Sequence, residues 1–388
     1  MSSMKYRPLS TLAPALVAVL VAGLAAAPAA AATMQPVASF GANPGALAAY
    51  EYVPDALPAG APLVVVLHGC TQSASAMASA GWQALADEHG FAVLYPEQTT
   101  ANNPLRCFNW MSAGDLARGQ GENASIMAMV DHAIATHGLD PARVYITGFS
   151  AGAAFTAVML ATWPDRFAAG AIMSGVPYRC AATTSAAYGC MNPGVDKTPT
   201  QWGDLVRTAA GSHAGPWPRV QVWQGVTDTT VAATNATELV EQWADVHGLA
   251  ATPDATSTIG RATLTQHTAG GVALVEAYRI EAMPHAISIG ADPLGACSGT
   301  PGAYFTDTGV CSTLRAAAFF GLVTPDGGGG TGGGSGTGTG SGTGGSGSGT
   351  GDADAMEGGC SAGGSATGGP LVLLVLALAR CWRRPTTL

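Results

Sequence analysis

The sequence predicts an α/β protein with a mainly parallel sheet flanked by helices. Three observations carry that expectation. Pro62–Leu67 reads Pro-Leu-Val-Val-Val-Leu, the continuous apolar run of a strand buried on both faces. From there to Ile280 strand signals alternate with helix signals, the pattern of parallel strands joined by helical crossovers. Within that alternation Val144-Tyr-Ile leads into Gly148-Phe-Ser-Ala-Gly152, and the Ala/Leu/Met-rich stretch Ala153–Trp163 follows until Pro164 stops it. A strand, a serine between glycines and a helix are the context of a nucleophile elbow.

Each element follows from local signals. After the Pro62–Leu67 strand, Ala74–His89 reads as a helix closed by Gly90, and Phe91–Tyr95 as a strand stopped by Pro96. A long loop through Trp110 precedes the helix Glu122–His137, again ended by a glycine. Beyond the elbow, Phe167–Met173 and Val220–Trp223 read as strands and Asn235–His247 as a helix. Val272–Ile280 is expected to be the last strand.

The ends differ in kind from this body. Lys5 and Arg7, the apolar Leu9–Leu24 and the small-residue run Ala26–Ala32 have the order of an export signal; a retained membrane anchor is the alternative. Residues 1–32 are therefore expected to be a signal peptide and 33–325 a single folded domain. Residues 326–351, almost wholly Gly, Ser and Thr, are expected to be a flexible linker, and 352–388 a sorting or anchor segment. Of the 388 residues 47% are hydrophobic, enough for a sizeable core, and the formal charge of −9 with no basic stripe excludes nucleic acid as a partner.

Export places the eight cysteines in an oxidising compartment. Cys70, Cys107, Cys180, Cys190, Cys297 and Cys311 lie in the body, and spacing alone leaves their pairing open. Neighbouring pairs are preferred here (70–107, 180–190, 297–311), because each closes one surface loop. Neither paired C-x-x-C nor H-E-x-x-H is present, so no metal or other cofactor is expected.

Serine chemistry needs a base, an orienting carboxylate and oxyanion donors. A second G-x-S-x-G match, Gly359–Gly363 around Ser361, follows an acidic, glycine-rich stretch instead of a strand and is discounted. After an elbow serine the order in these folds is acid, then histidine. Asp228 follows the Val220–Trp223 strand through a glycine turn, whereas Asp196, Asp204, Asp245 and Asp254 lie in loops or helical stretches without such an approach. His285 follows the Val272–Ile280 strand; His267 precedes it, and His247 closes a helix, where it complements the dipole. The backbone amides of Ala151 and Cys70 are the expected oxyanion donors, with Gly69 allowing close approach and His68 bracing the loop beside the substrate. His68 as the base is disfavoured by chain order. Trp110 is either a wall of the substrate groove or an ordinary buried tryptophan.

Five segments carry a resemblance. His68-Gly-Cys-Thr-Gln72, Arg106-Cys-Phe-Asn-Trp110, Gly121-Glu-Asn-Ala-Ser-Ile126, Gly148–Gly152 and Val176-Pro-Tyr-Arg-Cys180 resemble the polyhydroxybutyrate-depolymerase family of secreted esterases, which also includes feruloyl and acetylxylan esterases. The likeness runs from Ala46 to Leu322. It implies an α/β-hydrolase fold, a Ser150–Asp228–His285 triad, and a polyester or polysaccharide ester as substrate. Met283-Pro284 departs from it, since relatives usually carry a glycine before the histidine. A serine peptidase and a non-catalytic surface-binding protein are the alternatives on the same fold. The family-like Cys107-Phe-Asn-Trp110 speaks against the first, and the intact Ser150, Asp228 and His285 against the second.

The C-terminal segment, with Cys360, the apolar Leu371–Ala379 and a basic end at Arg380–Arg384, resembles the surface-sorting tags of myxobacteria. That resemblance implies processing or attachment at Cys360 by envelope sorting machinery, and a secreted enzyme held at the cell surface. Helical Leu371–Ala379 would span only about 14 Å of a hydrocarbon core of about 30 Å. A marginal membrane helix extended back to Ser365 is the alternative. Mass spectrometry of the cell-associated protein decides between them: a mature chain ending near Cys360 is expected, and a C-terminus intact through Leu388 would establish the membrane helix.

Overall fold

Strands too apolar to face water on either side occupy the middle of the molecule. The computed structural model describes Met1 and residues 32–323. The leader, the linker and the C-terminal segment with Cys360 and Ser361 therefore lie outside the described residues, apart from Met1 and Ala32. Ten strands form one sheet: β1 (Gln35–Pro36), β2 (Ala48–Tyr52), β3 (Leu63–Leu67), β4 (Ala92–Glu97), β5 (Val144–Phe149), β6 (Ala169–Met173), β7 (Arg219–Gly225), β8 (Ala255–Ile259), β9 (Ala262–Ala269) and β10 (Val272–Ile280). Their order is β1-β2-β4-β3-β5-β6-β7-β10-β9-β8. The run from β4 to β10 is parallel throughout, while β1, β2, β9 and β8 add antiparallel margins. Every residue of β3, β5 and β6 is buried, as their composition requires.

Alternate side chains of these strands feed two cores. Leu63, Val65, Leu67, Val144 and Ile146 join one face, covered by α3 (Gly121–His137), α4 (Ala151–Thr162), α6 (Pro199–Ala210) and α7 (Thr234–Val246). Val64, Val66, Tyr145 and Phe149 join the other, covered by α1 (Ala74–Ala78), α2 (Trp82–His89) and α8 (Ser312–Phe320). The remaining helix, α5 (Thr184–Met191), is tied by Cys180–Cys190. All twelve residues of α4 are buried, and it lies so close to β6 that a Cβ at Gly170 would come within 2.6 Å of Leu160. This is the α/β-hydrolase architecture, with every parallel strand delivering its C-terminal end to the same edge.

Three differences from the expected elements have physical causes. Ala74–His89 is two helices, because Gly81 is left-handed (φ 91°) and the loop at Ser298–Gly299 passes within 2.9 Å of where its Cβ would be. Pro96 does not stop its strand: the register with β3 ends at Leu94, and Pro96 pairs only with Ala49 of β2. Val272–Ile280 is not the last strand, since β11 (Ile287–Ile289) and β12 (Phe305–Asp307) form a small parallel pair beyond it.

Cys70–Cys107, Cys180–Cys190 and Cys297–Cys311 are bonded. Beside the last, Asp292 and Arg315 make a buried two-pronged ion pair at 2.7 and 2.8 Å, and Asp292 also accepts the amides of Leu294 and Cys311. This pair docks α8 onto the loop after β11. Asp292→Ala leaves a guanidinium buried without its partner, and should lower unfolding stability by about 3–5 kcal/mol in urea titrations.

Candidate active site

Ser150 occupies the one residue between β5 and α4, with φ 55° and ψ −118°. A non-glycine residue in that conformation is strained and persists only where its surroundings dictate it. Here they do. Its N–H donates to Met173 O (3.0 Å), and its carbonyl accepts from Ala154 N–H (2.9 Å). A Cβ on Gly148 would lie 2.4 Å from the Gly152 backbone, and one on Gly152 would lie 2.5 Å from the carbonyl oxygens of Leu67 and His68. The turn therefore closes against itself and against the end of β3.

Two further strand ends supply Asp228 and His285. Their loops are stitched together: Val226 N–H donates to Ile280 O (3.0 Å), and the Thr227 N–H and hydroxyl both donate to Met283 O (3.2 and 2.9 Å). Gly225 has Met283 O 2.2 Å from where a Cβ would stand. In this chain the glycine demanded by the close approach sits on the Asp228 loop, and Met283-Pro284 precedes His285 across from it.

The three side chains form a continuous hydrogen-bonded line. His285 Nδ1 lies 2.7 Å from Asp228 Oδ2, and Nε2 lies 2.9 Å from Ser150 Oγ. With the ring neutral, Nδ1–H donates to the carboxylate, so Nε2 accepts from the serine hydroxyl. Burial pushes the Asp228 carboxyl up, but the hydrogen bond and charge of His285 and the amides of Val231 and Thr230 outweigh it and hold the group below its ordinary value. Gln224 also donates to Oδ2 at 3.1 Å. The other candidates are engaged elsewhere. Arg207 holds Asp204 and Asp245, Thr268 donates to Asp254, and His247 and His267 bond the carbonyls of Pro218 and Ala250. Asp196 is absent from this line. Among the described residues no cluster of His, Cys, Asp or Glu is arranged to hold a metal ion.

The amides of Cys70 and Ala151, the expected oxyanion donors, meet no acceptor among the described residues. The loop carrying Cys70 is braced from behind. His68 Nδ1–H donates to Gly69 O (2.7 Å), and Gln98 N–H donates to His68 Nε2 (3.0 Å), so the ring is neutral with one defined tautomer. Burial pushes its pKa down to about 4. Gly69 O belongs to the same peptide as Cys70 N–H, so this hydrogen bond orients that amide. His68 was expected to brace this loop beside the substrate; it is fully buried, and its ring bonds the loop from inside without an exposed face for substrate. Trp110 is likewise a core residue, 5% exposed and packed with the α3 and α4 face.

The brace extends to a residue that sequence reasoning did not single out. Glu122 accepts from the side chains of Gln98 (2.5 Å), Asn102 (3.0 Å) and Asn109 (2.5 Å) and from Asn109 N–H (2.8 Å). Burial pushes its carboxyl up to about 7, against the donors that favour the charged form. A glutamate at a helix start reads simply as a charge complementing the dipole; its burial under the Cys107–Trp110 loop is a tertiary fact.

A family model described as esterase PHB depolymerase matches residues 47–267. The chain belongs to that family. Within the esterase PHB depolymerase relatives, it is 48% identical over 288 residues to poly(3-hydroxyalkanoate) depolymerase C of Paucimonas lemoignei, covering 74% of this chain and 70% of that one. It is 35% identical over 236 residues to feruloyl esterase B of Talaromyces stipitatus, covering 59% of this chain and 65% of the relative. Among solved structures, the acetyl xylan esterase from Aspergillus awamori superposes with a TM-score of 0.63 at 26% identity, covering 75% of this chain and all of the other. Membership makes the protein an ester hydrolase on the α/β-hydrolase fold.

His68 and Glu122 predict opposite pH slopes. Between about pH 4 and 6.5 the unfolded chain binds a proton at His68 that the folded protein refuses, so this residue makes stability rise with pH. Between about 4.5 and 7 the folded protein holds a proton at Glu122 that the unfolded chain has released, so stability falls with pH. Each full slope is about 1.4 kcal/mol per pH unit. In urea unfolding from pH 4.5 to 6.5, Glu122→Gln should gain stability with rising pH relative to wild type, and His68→Asn should lose it.

Proposed function

We propose that the protein is an exported serine esterase that hydrolyses the ester bonds of a short-chain poly(3-hydroxyalkanoate) through an acyl-enzyme. The Ser150–His285–Asp228 line carries this reading. His285 Nε2 takes the Ser150 proton as Oγ bonds to the ester carbonyl carbon. The Cys70 and Ala151 amides receive the oxyanion, aided by the positive end of α4. As the carbon–oxygen bond to the alcohol breaks, His285 returns the proton to the leaving oxygen. Water then repeats the sequence on the acyl-enzyme, again through His285, and releases the acid. Asp228 keeps the imidazole in the required tautomer and stabilises its protonated form.

The polyester reading is supported by the 48% identical depolymerase, which outstrips the carbohydrate-esterase relatives in identity and in share of this chain. A feruloyl or acetylxylan esterase is the second reading, favoured by the superposition on an acetyl xylan esterase over the whole of that structure. Export is supported by the leader and by three disulfides. Retention at the cell surface rests on the tail sequence alone.

Ser150→Ala should reduce ester hydrolysis at least about a thousandfold while leaving the unfolding midpoint near wild type, whereas Ser361→Ala should leave turnover unchanged. Parallel rates on amorphous poly(3-hydroxybutyrate), methyl ferulate and acetylated xylan identify the substrate class. The polymer should be the best of the three, and a preference for either plant ester would install the second reading.

A further inference from the structure

Tyr304 is one of few large apolar side chains left open to water among the described residues, and it stands at the active site. It is 40% exposed, while Phe149, the residue before Ser150, is 1% exposed. The Tyr304 ring lies 5.8 Å from that of Phe149 and meets the His285 ring edge-on at 6.3 Å. Phe149 and His285 are themselves 4.8 Å apart. Three rings are thus in mutual contact around the base, and Tyr304 is the one that presents a substantial face to solvent.

Its placement is enforced by backbone. Tyr304 is left-handed (φ 66°), at the tip of a turn closed by reciprocal hydrogen bonds between Gly302 and Phe305 at 3.1 and 3.0 Å. Its carbonyl accepts from Ile287 N–H (2.8 Å), two residues past His285, and Phe305 pairs with Ile287 across β11 and β12. Cys297–Cys311 closes the loop from outside. A non-glycine residue in a strained conformation, held by this many constraints and carrying an exposed aromatic ring, points to a task at the site.

The chemistry identifies the task. When the ester carbon–oxygen bond breaks, the departing oxygen must lie within hydrogen-bond reach of His285 Nε2 to take up its proton. The alcohol half of the ester therefore leaves past the imidazole, and a ring that shoulders the imidazole and faces water borders that half. We infer that Tyr304 is a specificity-determining residue that packs against the leaving alcohol, favouring esters whose alcohol carries an apolar or extended group, such as the next unit of a hydroxyacyl chain, over small alcohols. This rests on the serine-esterase reading above and assigns one side of its substrate site. Since the acyl-enzyme no longer holds the alcohol, Tyr304 should act on acylation and not on deacylation.

The test uses butyrate esters that share one acyl group and differ in the alcohol: ethyl, hexyl and 2-phenylethyl butyrate. In Tyr304→Ala, kcat/KM for the hexyl and phenylethyl esters should fall about tenfold, with ethyl butyrate changing less than about twofold and Tyr304→Phe close to wild type. The deacylation rate, read from the steady phase after the burst of p-nitrophenol from p-nitrophenyl butyrate, should be unchanged. Equal losses across the three alcohols, or a loss that instead follows acyl length at constant alcohol, would overturn the assignment. The burst itself separates this from the underlying reading. A burst that persists in Ser150→Ala refutes the serine nucleophile, whereas a Ser150-dependent burst with no alcohol dependence refutes the role of Tyr304 alone.

Discussion

The close crossing of the Ser150 turn over the end of β3 is the constraint on which the site depends. Gly152 lies against the carbonyl oxygens of Leu67 and His68 with no room for a Cβ, and Gly148 lies against Gly152 in the same way. That proximity brings two chain segments, one carrying the Cys70 amide and one the Ala151 amide, to the same small volume. It also holds Ser150 at φ 55°. Local strain of this kind costs on the order of 1–3 kcal/mol and survives only in a rigid setting. The setting is the fully buried β3, β5 and β6 together with the entirely buried α4.

Around that crossing the polar groups form two chains of hydrogen bonds. Asp228 fixes His285, and the amides of Thr230 and Val231 fix Asp228. On the other side Glu122 holds Gln98 and Asn109, Gln98 holds His68, and His68 holds the peptide that ends in the Cys70 amide. Neither chain of bonds has a cation at its end. Buried carboxylates without cations are tolerated only when several N–H donors satisfy them, and both Asp228 and Glu122 meet that condition. Preorganised donors lower the reorganisation that an oxyanion would otherwise demand.

The disulfides extend the same logic to the surface. Cys70–Cys107 ties the Cys70 loop to the segment that covers Glu122, where Thr71 N–H also donates to Leu105 O at 2.7 Å. Cys297–Cys311 closes the loop bearing Tyr304, and the Asp292–Arg315 pair anchors that loop's base to α8. Loops without regular structure thereby carry the rim of the site with little freedom to move.

The sequence by itself determined the parallel strands and the serine turn, and it singled out Asp228 and His285 by chain order and strand ends while only preferring nearest-neighbour cysteine pairs. The first two are local matters, since apolar runs demand burial and paired glycines demand a tight turn; His285 lies 57 residues from Asp228 and 135 from Ser150, and Cys70–Cys107 spans 37, so the fold brings these groups together. The tertiary structure alone decided the margins and the walls. The polar strands β8 and β9 show no apolar run because they form the antiparallel margin of the sheet, where one side can face water. Helix α8 is short, so its packing against Trp82 and Tyr145 and its docking by Arg315 define it. Trp110 and His68 belong to residue types that serve equally as groove wall or as core, and their burial depends on Phe108, Gln98 and α3 arriving from elsewhere in the chain. Tyr304 carries no local signal at all. Its place beside His285 follows from the pairing of β11 with β12 and from Cys297–Cys311, contacts between positions that only folding brings together.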